Sequence, residues 1–330
     1  MTGAYDVAVL GSGPAGAACA ALLAKAGASV TLLERPARPP DGVELLSGRA
    51  RGALADLGLG VPGAAVVETL ARWRGAPTRV STALASPWGA GLAVVRRALD
   101  DTLRAYAVAA GATPSHVLSV GRVGGGWRVA TAAHGVAIAD FLVIATGRCG
   151  SAPVDRSRPD RASHVAVLAQ VPDVDRGASL LVETSAHGWW YVLPDPRRGR
   201  FVAWCAETRR LRGRAVPVAR LWRRELGQTR LTKAALRGSA PRGPLVCRPA
   251  GAARSDPAAG NGWLAVGDAG FATDVLSGQG LEFALLSARA GAVAVAAEDR
   301  TAAVRAYATW LADVAASHLR MREEWTGFRV

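Results

Sequence analysis

The sequence predicts an α/β fold in which a doubly wound parallel sheet is interleaved with a smaller, strand-rich domain. Three observations predict it. A strand, a glycine-rich turn, a helix, a second strand and an acidic residue follow one another at the N-terminus. A further strand, glycine-rich loop and helix recur near the C-terminus. Between them, the alternating apolar run 179–207 reads as strands of a separate sheet.

At the N-terminus, Asp6–Leu10 is a short apolar strand that runs directly into Gly11-Ser12-Gly13-Pro14-Ala15-Gly16. A helical pattern continues through Ala17–Ala26, Gly27 closes it, and Ser29–Leu33 forms a second buried strand ending at Glu34 and Arg35. Each part has a physical task in holding a dinucleotide. Gly11 permits the tight turn, Gly13 lets the backbone approach a pyrophosphate, and Gly16 lets helix and strand pack closely. The helix start, with Pro14 and Ala15, offers N–H groups and a positive dipole end to phosphates. Glu34 can accept both hydroxyls of a ribose, and its charge opposes a 2′-phosphate. This unit alone does not separate FAD from NAD.

The C-terminal constellation decides for FAD. Gly262–Ala269 is a buried strand ending in Gly267-Asp268, and Asp274-Val275-Leu276-Ser277-Gly278-Gln279-Gly280 leads into an Ala-rich helix from about Leu281. A nicotinamide enzyme needs no second phosphate-and-sugar site so far downstream, whereas a long, extended FAD does. Asp268 is expected on the ribityl hydroxyls. Ser277, Gly278 and Gly280 set a helix N-terminus beside the flavin ring, where its dipole would stabilise the anionic reduced form.

Together these segments resemble the FAD-dependent monooxygenase and tryptophan-halogenase-like superfamily, with its glutathione-reductase-type fold, whose late motif has proline where this chain has Val275. By that resemblance, Asp41–Gly48, containing Glu44, passes near the flavin and the substrate pocket. Arg96, at a helix start shared with Leu99-Asp100 and Leu103, reaches the pyrophosphate, and backbone near Val117 meets the adenine. Asp140–Gly147, ending in Thr146-Gly147 and followed by Arg148, closes the nucleotide-binding domain against FAD. Flavin halogenases carry W-x-W-x-I-P where this chain has Gly188-Trp189-Trp190-Tyr191-Val192-Leu193-Pro194. That form, with the ending Arg322–Trp325 and Phe328, is similar to the non-halogenating branch of flavoproteins that mature quinone cofactors. Halogenation also needs a lysine near the substrate, and Lys25 and Lys233, the only lysines, lie elsewhere in the sequence.

The bulk properties agree with a globular enzyme. The 330 residues are 50% hydrophobic, enough to bury the core of one large or two interleaved domains. The longest apolar runs, such as Ala290–Ala297, are too short to span a bilayer. The first glycine turn follows Met1 so closely that no signal peptide fits, so a cytoplasmic location is expected. Cys19, Cys149, Cys205 and Cys247 form no C-x-x-C pair and are expected as buried small hydrophobes. The five histidines show no ligand spacing, so no metal is expected. The net charge of +14 is almost entirely arginine, dense at 209–214 and 220–224. It would attract a phosphorylated cofactor, an acidic carrier protein or, non-specifically, nucleic acid, although a simply solvated surface is the leading reading. No nucleic-acid-binding motif is present.

The expected domains are 1–75, 90–165 and 255–330 for FAD, and 76–89 and 166–254 for substrate. Helix is expected over 217–240, with a loop at 238–261. The resemblance implies monooxygenation through a flavin C4a-hydroperoxide formed with O2, acting on an aromatic group that is free, carrier-tethered or peptidyl, such as a tryptophan side chain. Trp189, Trp190 and Tyr191 are candidates for a water-excluding wall, and His187 for a proton donor. There is no second complete G-x-G-x-x-G, so electrons are expected from NAD(P)H docking transiently or from a separate flavin reductase. Two alternatives stay open: a reductase or dehydrogenase of C–C bonds similar to geranylgeranyl reductases, and a non-catalytic flavoprotein that binds a protein partner.

Overall fold

The computed structural model describes residues 3–35, 42–73, 76–148, 150–157, 163–211 and 216–326, with the side chains of the last helix described to Met321. Asp41, Cys149, residues 212–214, Phe328 and the side chains of Arg322–Trp325 lie outside the described residues. The chain divides into two compact units. The first comprises Met1–Pro39, Leu99–Asp160 and Ala252–Val330; the second comprises Pro40–Ala98 and Arg161–Gly251.

The first unit is a doubly wound α/β layer. Its parallel strands Val30–Glu34, Gly3–Leu10, Gly135–Ile144 and Trp263–Ala265 lie side by side in that order. The long strand Thr113–Val123 pairs in parallel with Val30–Glu34 through its first residues. It then pairs antiparallel with Gly126–Thr131 through the rest. These strands read as continuous apolar runs because helices cover the parallel core. Ala8, Leu10, Leu33, Trp127, Leu142, Ile144 and Trp263 form one buried cluster. The helices are Pro14–Lys25, the Leu99-onward part of Arg96–Ala109, Gly280–Ala296 and Arg300–Thr326. Small residues let the Pro14–Lys25 and Gly280–Ala296 helices approach closely: Ala17, Ala18, Ala20 and Ala21 are buried on the former, and Ala284, Ala288 and Ala292 on the latter.

The second unit is built on a seven-stranded sheet in the order Arg242–Pro249, His164–Val171, Arg200–Glu207, Gly188–Pro194, Ser179–Ser185, Glu68–Arg72, Arg79–Thr82. Helices Val218–Gly227 and Leu231–Leu236 cover one face through Leu221, Trp222 and Leu236. A three-stranded sheet of Val43–Leu46, Gly91–Val95 and Gly63–Val66 completes it.

Four expectations need correction. Residues 40–75 and 90–98 group with the second unit, because Glu68–Arg72 pairs with Ser179–Ser185 and because strands within the two segments pair with each other as the three-stranded sheet. The expected loop 238–261 contains the edge strand Arg242–Pro249. The helical stretch 217–240 is two helices broken around Gln228–Arg230. Cys19 and Cys205 are buried, but Cys247 is exposed on that edge strand.

Candidate functional site

In the first unit the expected cofactor residues gather at the C-terminal edge of the parallel strands. Backbone bonds align the strand ends: the Gly11 N–H donates to Leu33 O at 2.8 Å, Ala145 N–H to Leu10 O at 2.8 Å, and Val266 N–H to Ile144 O at 2.9 Å. Open α/β sheets bind ligands at this edge. The turn after the first strand leaves no room for side chains. A Cβ on Gly11, whose φ is +117°, would lie 2.3 Å from Ala145 O, and one on Gly16 would lie 1.8 Å from Gly11 O. Gly13 begins the first helix, Pro14 follows in its first turn, and no side chain caps the end. Its leading N–H groups are thus open to an anion.

The C-terminal turn meets this one directly. Gly267 has φ +58°, and a Cβ there would lie 2.6 Å from the Ala15 Cβ. The buried Ser287 hydroxyl accepts the Gly267 N–H at 2.8 Å, and Tyr307 donates its hydroxyl to Ala265 O at 2.7 Å. Burial pushes the Tyr307 phenol well above its ordinary range, so it stays a donor. Asp268 lies 3.4 Å from Arg148 Nε, and Arg148 Nη2 donates to Thr273 O at 3.0 Å. Arg148 therefore ties the turn after Ile144 to both C-terminal segments. Gly147 shares that turn with Thr146, whose Oγ1 is buried without a hydrogen-bond partner among the described residues. Asp274 Oδ1 accepts the Leu276 N–H at 2.9 Å, Ser277 Oγ donates to Asp274 O at 2.8 Å, and Gly278 adopts φ +63°. The loop so formed needs no proline at Val275. Gly280 opens the next helix, again without a side-chain cap.

Glu34 ends the second strand with partners the sequence did not reveal. Its Oε2 accepts Ser12 Oγ at 3.0 Å and Arg104 Nη1 at 3.2 Å, while among the described residues Oε1 has only His116 Nδ1 at 3.8 Å. Asp101 also binds Arg104. One carboxylate oxygen is thus anchored and the other is left toward the strand end. Val117 follows His116, the register partner of Glu34, at an irregularity between Val117 and Ser119. Arg35 extends outward, 3.5 Å from Ser151 Oγ.

The remaining candidates lie in the second unit. Arg96 bonds Glu44 through Nη1 and Oε1 at 3.2 Å. On strand Gly188–Pro194 the aromatic residues divide between two faces, as the period of a strand requires. Trp190 is fully buried, with ring centroids 6.0 Å from Trp204 and 5.1 Å from Trp222. It is a core residue beneath the helices and not part of a pocket wall, which corrects that expectation. Trp189 and Tyr191 occupy the opposite face, beside the buried Cys205. Burial, and then the nearby Glu44 charge, raises the Tyr191 phenol well above its ordinary value. His187 sits in the hairpin turn before Trp189, half-buried, with Nδ1 enclosed and without a partner among the described residues. Among the described residues no His, Cys, Asp or Glu group could hold a metal ion. No described helix is long and apolar enough to cross a membrane.

Residues 9–59 match the family model of the NAD(P)-binding Rossmann-like domain. No curated protein sequence matches the chain. Solved structures match over nearly its whole length. The flavin-dependent brominase Bmp2 is 23% identical, with 93% of this chain and 83% of that one covered at a TM-score of 0.78. The myxobacterial chondrochloren halogenase CndH is 22% identical over 92% and 78%, at a TM-score of 0.79. The peptidyl tryptophan dihydroxylase QhpG, essential for tryptophylquinone cofactor biogenesis, is 25% identical over 98% and 75%, at a TM-score of 0.74. The chain thus has the fold of the FAD-dependent monooxygenase and tryptophan-halogenase-like superfamily, built on a glutathione-reductase-type dinucleotide-binding unit.

Proposed function

We propose that this chain is an FAD-dependent oxidoreductase, and specifically a monooxygenase that hydroxylates an aromatic group. The observation that carries the reading is the contact between its two glycine turns, with the Gly267 Cβ position 2.6 Å from Ala15. A mononucleotide or NAD site needs the first turn alone; an extended FAD uses both. The residues fit that cofactor: the uncapped helix starts, Thr146 Oγ1, which is unpartnered among the described residues, and Glu34 Oε1, left over once Oε2 is anchored, are the donors and acceptors a dinucleotide would satisfy.

Gly13, Pro14, Ala15 and Gly16 would hold the pyrophosphate, and Glu34 and the Val117 backbone the adenosine end. Asp268, steadied by Arg148, would take the ribityl chain. Ser277, Gly278 and Gly280 would face the ring with the start of the Gly280–Ala296 helix. When bound, FAD supplies electron transfer and the activation of O2, with electrons from NAD(P)H or from a separate flavin reductase. The chain's own residues orient the substrate, exclude water and deliver a proton. Trp189 and Tyr191 offer an aromatic surface, Tyr191 remains a neutral hydrogen-bond donor, and the His187 imidazole is the candidate proton source.

Hydroxylation is favoured over halogenation because neither lysine suits the latter. Lys25 donates to the Tyr106 hydroxyl at 2.8 Å, and Lys233 is exposed on the Leu231–Leu236 helix. The likeness to QhpG, whose substrate is a peptidyl tryptophan, points the same way. The test is oxygen uptake by the FAD-loaded protein with a reductant and a tryptophan-containing peptide, with products weighed by mass spectrometry. Oxygen addition to the peptide supports the reading. Halide incorporation, or turnover without O2, contradicts it.

A further inference from the structure

The net charge is unevenly distributed. The second unit carries 24 Lys and Arg against 10 Asp and Glu, whereas the first carries 16 against 16. The whole excess of +14 therefore belongs to the second unit. Within it, the two helices over the seven-stranded sheet carry a run of cations almost without acids. From residue 216 to 242 the only acid is Glu225, and it is buried. Arg220, Arg223, Arg224, Arg230, Lys233 and Arg237 are all exposed.

Their spacing makes one face. Arg220, Arg223 and Arg224 stand at i, i+3 and i+4 on Val218–Gly227, opposite the buried Leu221, Trp222 and Glu225. Arg230, Lys233 and Arg237 stand at i, i+3 and i+7 across Leu231–Leu236, from its N-cap to its C-cap, opposite Thr232 and Leu236. Both helices bury their inner sides in the same core cluster. Among the described residues, Arg224 alone of these six has a close acidic partner, with Nη2 3.3 Å from Glu225. Like charges at these spacings weaken a helix, so the face is unfavourable to the chain on its own. Arg237 adds to this, because it keeps a guanidinium at a helix end with φ 47°, where glycine is usual.

We propose that this two-helix face docks an acidic polypeptide. The residues between the cations are small or short: Ala219, Gly227, Ala234, Gly238 and Ala240 are exposed, and no exposed aromatic residue lies among them. Small residues admit a partner helix close enough for its carboxylates to meet the guanidinium forks. A single-stranded nucleic acid would instead use aromatic stacking platforms, which this face lacks. The inference goes beyond the flavin reading and does not depend on it.

The test measures binding of fluorescein-labelled poly-L-glutamate, and of a labelled DNA duplex of equal charge, to the full chain. One variant carries Arg220→Gln, Arg223→Gln and Lys233→Gln. A control carries Arg128→Gln, Arg289→Gln and Arg305→Gln, exposed cations of the first unit, so both lose the same charge. The face variant should weaken poly-L-glutamate binding on the order of tenfold, and the control by about twofold or less. Equal losses in the two variants would overturn the proposal, as would tighter binding of the duplex than of poly-L-glutamate. Flavin absorbance is read in the same samples. A chain that takes up no FAD yet binds poly-L-glutamate through this face would fault the flavin reading and leave the docking face standing.

Discussion

Replacing Gly267 by alanine tests the meeting of the two turns. The new Cβ would lie 2.6 Å from the Ala15 Cβ. Carbon atoms in contact sit at about 3.5–4.0 Å, so one turn must retreat by roughly 1 Å. Forcing a methyl group into a packed site costs about 1–3 kcal/mol. The left-handed backbone, φ +58°, costs an L-residue about another 1–2 kcal/mol. Gly267→Ala should thus lose about 2–5 kcal/mol in urea unfolding followed by tryptophan fluorescence. The double variant Ala15→Gly/Gly267→Ala removes the steric part and leaves the backbone part. A double-mutant cycle should therefore return a coupling of about 1–3 kcal/mol, with FAD retention partly recovered. A coupling within about 0.5 kcal/mol of zero would refute the contact on which the two-turn argument stands.

Glu34→Gln should weaken FAD binding by roughly tenfold in a fluorescence titration, because a charged acceptor for ribose is lost and Arg104 keeps only Asp101. Trp190→Ala should cost about 3–5 kcal/mol of stability by emptying the Trp204–Trp222 cluster. In the folded fraction it should leave the ratio of oxygen consumed to product unchanged, and a rise in peroxide release would return Trp190 to the pocket. Glu183 is fully buried and accepts the Arg230 N–H at 2.7 Å and the Thr232 N–H at 2.9 Å, at the start of the Leu231–Leu236 helix. Glu183→Ala should destabilise the chain by about 1–3 kcal/mol in the same urea assay. The Ser29 N–H and hydroxyl hold the Asp6 carboxyl below its usual range. That stabilisation is complete above the ordinary carboxylate pKa of about 4 and fades as pH falls through the lower folded value. Asp6→Asn should flatten this part of the stability curve, and an identical acid limb in both proteins would exclude the contribution.

The first glycine turn was legible because its requirements are local. A strand, a turn without side chains, a helix start and an acid all fall between Gly3 and Glu34 and are read from adjacent residues. What supports Glu34 was not legible, since Ser12, Arg104 and His116 meet it only once Thr113–Val123 has paired with Val30–Glu34. Arg148 and Ser287 were hidden for the same reason: each fixes a turn far from it in sequence. The aromatic run at 189–191 is legible as a strand, whose period divides its rings between two faces. Successive residues of a strand face opposite ways, so Trp190 cannot share a wall with Trp189 and Tyr191. The grouping of residues 40–75 depended on short strands pairing across more than a hundred positions, as Glu68 does with Ser179, and local pattern carries no such information.

The central claim is that both glycine turns grip one FAD. The direct measurement is titration of flavin-free protein with FAD, followed by flavin fluorescence and gel filtration, with Asp268→Ala alongside. Saturation is expected at one FAD per chain, retained through the column by the wild type and lost by the variant. A wild type that stays colourless, or an Asp268→Ala variant that retains its full complement of flavin, would contradict that grip.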